Sequence, residues 1–116
     1  MIIGVQGTRN FGDYNIFLRA MGTALSMLEE GDGEFLIYSA GPSRINEMAQ
    51  EFSNISERSL KARGIKIRMQ RLPIKVLKEN IRDIDYFLFF SKPKEPVSDL
   101  VDIAEAKDIE VGIYRY

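Results

Sequence analysis

Five short apolar runs, spaced by stretches whose apolar residues return every three or four positions, constrain this chain more than any single motif. The runs are Met1 to Gln6, Glu34 to Ser39, Ile65 to Gln70, Ile84 to Phe90 and Ile109 to Tyr114. Each has the length of a strand and is rich in branched or aromatic side chains. Between them, Ile16, Phe17, Met21, Ala24, Leu25 and Leu28 form one helical stripe, which predicts a helix opened by Asp13 as N-cap and running to about Glu30. A second stripe, Ile45, Met48, Ala49, Phe52, Ile55 and Leu60, predicts a helix from the Ala40–Ser43 turn to about Arg63, ended by Gly64. Ile74, Leu77 and Ile81 mark a short helix after Pro73, to about Arg82. Leu100, Val101 and Ala104 mark a last one from about Val97 to Lys107.

Strands that alternate with helices along the whole chain predict a parallel sheet with helices on both faces. Right-handed crossovers then leave few topologies, and strand order 3-2-1-4-5 is the expected one. The reading is a single α/β domain over residues 1–116, a Rossmann-like three-layer sandwich with a five-stranded parallel sheet. The run IDYFLFF should be central. Ile65 to Gln70, which alternates Ile65, Ile67 and Met69 with Lys66, Arg68 and Gln70, should lie near the edge. In such a sheet, ligands bind beyond the carboxyl ends of the strands, where the winding reverses.

The chain has neither Cys nor His. That removes thiolate zinc sites, thiol nucleophiles, imidazole bases and Ser-His-Asp triads, so no metal and no resident cofactor are expected. A formal net charge of -1 weighs against a non-specific grip on nucleic acid. The cluster Lys61, Arg63, Lys66, Arg68 and Arg71 is read as the solvated side of a helix end and an exposed strand. No apolar run approaches the roughly 20 residues of a membrane span, and MIIGVQG lacks the order of a signal peptide. A cytoplasmic protein without membrane partners is the expectation.

Three loops should converge on the crevice, and each suits an anion. The first carries Gly7 and Thr8, whose backbone N–H groups and hydroxyl can approach a ligand, and Arg9, whose planar guanidinium fits phosphate or carboxylate. Phe11 and Tyr14 beside it could stack on a base or serve as core. The second, Ser39-Ala40-Gly41-Pro42-Ser43, leads into a helix start that favours phosphate, and Asn46 in its first turn could read a ribose hydroxyl or base edge. The same residues also suit an ordinary helix start. The third follows Ser91; Ser98 and Asp99 open the last helix, while Lys92 and Lys94 are read as solvent-facing charge.

Together these loops resemble the SLOG superfamily of Rossmann-like nucleotide-binding domains, specifically its small YspA-like members, with DprA and the LOG proteins more distant. The family's segment G-[ST]-R-x-F-x-D-[YW] stands here as Gly7-Thr8-Arg9-Asn10-Phe11-Gly12-Asp13-Tyr14. Its S-G-G-A-x-G-x-D loop corresponds to Ser39-Ala40-Gly41-Pro42-Ser43-Arg44-Ile45-Asn46, with Ala40, Arg44 and Asn46 departing from the pattern. The resemblance implies binding of a nucleotide, a nucleotide-derived signal or a nucleic acid end, and pairing into a homodimer or higher assembly. The departures argue against an inherited enzymatic activity.

The leading expectation is therefore a non-catalytic protein that senses or sequesters a nucleotide-type small molecule. A small domain without His or Cys also fits a bacteriophage protein acting in the host cytoplasm against nucleotide-signalled defence. Two alternatives stand beside it. One is a protein-interaction module that regulates a partner. The other is a LOG-type nucleotide N-glycoside hydrolase with Glu47 as its carboxylate, although the LOG-type P-G-G-x-G-T-x-x-E loop is absent.

Overall fold

The computed structural model describes residues 1–116. Strands β1 (Ile2–Gly7), β2 (Glu34–Ser39), β3 (Lys66–Arg71), β4 (Tyr86–Ser91) and β5 (Glu110–Arg115) alternate with helices α1 (Tyr14–Leu25), α2 (Ser43–Ala62), α3 (Ile74–Glu79) and α4 (Asp99–Ala106). All strand pairs are parallel and the order is β3-β2-β1-β4-β5. This is the Rossmann-like α/β sandwich that the alternation predicts.

Side-chain alternation divides the core in two. Ile3, Val5, Phe35, Ile37, Leu88 and Phe90 face α1 and α2, where they meet Phe17, Met21, Ile45 and Phe52. Ile2, Phe87 and Phe89 face α3 and α4, where they meet Leu77, Leu100 and Val101. β4 is buried at every position, as a strand covered on both faces must be. β3 is at the edge, with Lys66, Arg68 and Gln70 exposed.

Three local expectations are corrected. α1 ends at Leu25 rather than near Glu30. The Ser26 hydroxyl donates to the Thr23 carbonyl at 2.6 Å, and the Met27 and Leu28 amides bond three residues back, which winds the chain into turns. The short third helix splits into α3 and a 3-10 turn at Ile81–Asp83. There the Asn80 amide takes the Val76 carbonyl at 2.8 Å. Ile55, placed on the inner face of α2, is 55% exposed. At about 100° per residue it lies roughly a quarter-turn off the centre of the stripe from Ile45 to Leu60.

Tyr86 is buried near Tyr114, and burial first, then Tyr114 and Glu110, push the pKa of its hydroxyl up to about 12. In the unfolded chain a tyrosine loses its proton near pH ~10. Above that pH the folded state holds a proton that the unfolded state has released, so stability falls as pH rises from about 10 towards 12. Urea denaturation should give a level free energy at pH 8 to 9 and a decline by pH 11. Tyr86→Phe should make that decline shallower, leaving the smaller part due to Tyr14.

Candidate functional site

The winding reverses between β1 and β4. After β1 the chain turns towards α1 on one face; after β4 it turns towards α4 on the other, so the switch point, where open α/β sheets form their binding crevice, lies above both carboxyl ends. The loops after β1, β2 and β4 meet there through the backbone. Gly7 N–H donates to the Gly41 carbonyl at 3.1 Å, Thr8 N–H to the Phe90 carbonyl at 2.9 Å, and Ala40 N–H to the Val5 carbonyl at 2.9 Å. Gly7 and Thr8 therefore offer no free backbone N–H to a ligand, contrary to the sequence expectation. What Thr8 offers is its hydroxyl.

Two glycines shape the loops. A Cβ on Gly7 would stand 2.6 Å from Ile45 Cδ1, so only glycine lets α2 start this close to β1. Gly41 has φ +86, which a side chain rarely adopts, and precedes Pro42 through a cis peptide bond. α2 then starts at Ser43 without a side-chain cap and without an acidic residue in its first turn. α1 and α4 are capped by Asp13, which accepts from Ile16 N–H at 3.2 Å, and by Ser98, which accepts from Leu100 N–H at 3.2 Å. Asp13 and Ser98 thus serve their helices.

Asn46 turns back to β2, its side-chain oxygen accepting from the Ser39 hydroxyl at 2.5 Å. Its amide nitrogen lies towards Gly41. Arg9 is exposed and stands outside both ion pairs of the chain, Arg44–Glu47 and Lys78–Asp99. Ser43 is exposed at the start of α2, and Arg44 Nη2 makes a long 3.5 Å contact with the Gly12 carbonyl. Phe11 is 1% exposed and packs on Phe90 with ring centroids 5.2 Å apart, so it is core and offers no stacking face.

Tyr14 lines a groove of about 390 Å³ between α1 and α2, with Arg44, Glu47, Met48 and Glu51. Its hydroxyl is buried without a partner, and burial together with the Glu51 charge raises its pKa. Glu47, exposed and 3.8 Å from Arg44, belongs to this groove, while the crevice carboxylate is Glu95.

Glu95 is the residue that sequence reasoning passes over. Its Oε1 accepts from the Thr8 hydroxyl at 2.6 Å and from the Lys92 N–H at 2.6 Å, and its Oε2 accepts from the Asn10 amide at 3.2 Å. The Thr8 bond, then the Lys92 bond, hold the carboxyl below its ordinary range, so it is ionised at neutral pH. In sequence, Glu95 sits between Pro93 and Pro96 in a polar loop, where solvated charge is the natural reading.

The fold and the crevice define an α/β protein with a Rossmann-like parallel sheet and a polar switch point. No helix is long and apolar enough to cross a membrane. Comparison with protein-family models, with curated proteins and with solved structures finds no match.

Proposed function

We propose that this chain binds a nucleotide or nucleotide-derived ligand at the β1–β4 crevice and leaves it chemically unchanged, acting as a sensor or by sequestration. One observation carries the reading: the crevice already holds an anion, the Glu95 carboxylate, on a hydroxyl, a backbone N–H and a side-chain amide. These are the donors that hold a phosphate oxygen equally well. Arg9, exposed in the loop after β1, and the uncapped start of α2 after Gly41 add positive potential at the same carboxyl end of the sheet. The SLOG-like segment from Gly7 to Tyr14 supports the same ligand class.

A binder fits better than an enzyme because neither carboxylate is tuned for proton transfer at neutral pH. Glu95 is held below its ordinary range, which makes it a weak base and no acid, and Glu47 is exposed beside Arg44. A thermal-shift series with mononucleotides, dinucleotides, cyclic nucleotides and ADP-ribose derivatives tests the proposal. A ligand at about 100 times its Kd should add about 2.7 kcal/mol to stability. Arg9→Ala should lose most of that gain at the same ligand concentration, and the ligand should be recovered intact. Conversion of the ligand, abolished by Glu47→Gln, would favour the hydrolase instead.

The face of β2 and β3 opposite α2 favours a second reading, a protein-interaction module. Leu36 and Tyr38 there are only half-buried and border a shallow groove of about 400 Å³ with Arg68 and Gln70. On that reading Arg9→Ala leaves biological activity intact and Tyr38→Glu abolishes it.

A further inference from the structure

Glu95 is held from two sides. Its carboxylate is bound by Thr8 at the end of β1, and its main-chain carbonyl accepts a hydrogen bond from Arg115 at the end of β5. β4 lies between those strands, so the segment from Lys92 to Ser98 crosses the carboxyl end of β4 as a strap fastened by one residue. The strap also places Lys94 at φ +73, in the left-handed region that non-glycine residues seldom occupy.

Two polar side chains on this end of the sheet have no partner. Gln6 on β1 and Ser91 on β4 lie on the α3/α4 face, in register with Ile2 and with Phe87 and Phe89 respectively. Gln6 is 7% exposed and Ser91 0%, yet Gln6 Oε1 and Ser91 Oγ make no hydrogen bond. Buried acceptors and hydroxyls are almost always satisfied, and leaving one unmade costs about 1–3 kcal/mol. Here two such groups sit on adjacent strands, where β4 passes into the strap.

We propose that Glu95 is a displaceable latch over a nucleoside monophosphate site. The ligand's phosphate takes the place of the carboxylate on Thr8, Asn10 and the Lys92 N–H, and its sugar or base satisfies Gln6 and Ser91. The inference rests on the nucleotide-binding reading and deepens it by naming what the ligand must compete with. Displacement swaps one anion for another, so the three donors stay satisfied. Arg115, released from the strap carbonyl, becomes a further phosphate donor. The free protein is then mostly closed, and its apparent affinity falls by the fraction of molecules in which the strap is open.

Isothermal titration of wild type, Glu95→Ala and Gln6→Met with adenosine 5′-monophosphate and with inorganic phosphate tests this. Glu95→Ala should bind both probes about tenfold more tightly or better. Gln6→Met should lose several-fold in affinity for the nucleotide, keep its affinity for phosphate, and melt at a higher temperature because an unpaired buried amide oxygen is gone. Glu95→Gln, which keeps the side chain's length, replaces the alanine variant if that one fails to unfold cooperatively. A wild type that binds the nucleotide no less tightly than the Glu95 variant overturns the latch and leaves the crevice reading standing. Absence of binding by either protein overturns both.

Discussion

Phe90→Ala should remove about 3–5 kcal/mol of stability, the cost of truncating a fully buried aromatic ring. Phe90 has no exposed surface and its ring lies 5.2 Å from Phe11, 5.1 Å from Phe17 and 5.4 Å from Tyr114. It therefore joins the first crevice loop, helix α1 and strand β5 in one cluster. Small domains have only about 5–15 kcal/mol in total, so the variant should unfold at a much lower urea concentration than wild type. Phe90→Leu should cost less, because it keeps an apolar side chain in most of the space. The loss should also reach the site: with Phe11 unpacked, the amides of Thr8 to Phe11 should exchange hydrogen faster. A loss below about 1 kcal/mol would show that the cluster repacks without the ring.

The second large effect is at Gly7. An added Cβ would meet Ile45 Cδ1 at 2.6 Å, Ile45 Cγ1 at 2.8 Å and the Phe90 carbonyl at 3.0 Å. Neither neighbour yields easily, since Ile45 is fully buried and the Phe90 carbonyl is held by Thr8 N–H. Gly7→Ala should cost about 1–3 kcal/mol by overpacking and push the first turn of α2 away from β1. Ile45→Val in the same chain should return part of that loss, although on its own it destabilises by about 0.5–1.5 kcal/mol. A double-mutant cycle measures the coupling directly. Additive losses would mean that the clash is relieved elsewhere.

Much of this architecture is legible in the residues themselves. Apolar runs the length of strands and helical stripes of the kind Ile45, Met48, Ala49 and Phe52 make leave little freedom once crossover handedness is applied. The order 3-2-1-4-5 and the edge position of β3 follow from that. Element ends are less legible because side-chain hydrogen bonds decide them. The Ser26 hydroxyl ends α1 early, and the Asn80 amide ends α3. Ile55 misleads because the apolar stripe of α2 is counted by spacing, whereas burial depends on angle.

The crevice is legible only in outline. Gly7, Thr8, Ser39, Gly41, Asn46 and Ser91 gather there because they end or follow strands whose order is predictable. Their partners are not predictable, because they are set by packing between distant segments. Glu95 meets Thr8 from 87 residues away and Asn10 from 85. Phe11 could stack on a base or fill the core until the position of Phe90 is known, and Phe90 takes it into the core. The N–H groups of Gly7 and Thr8 look free in sequence and are consumed by the Gly41 and Phe90 carbonyls.

Whether the crevice is a nucleotide site can be read from backbone amide chemical shifts while adenosine 5′-monophosphate is added to isotope-labelled protein. Saturable shifts are expected at Thr8, Arg9, Gly41, Ser43, Arg44 and Lys92, around the ends of β1, β2 and β4. Amides that stay in place throughout the titration, or shifts confined to β3 from Lys66 to Arg71, would contradict it.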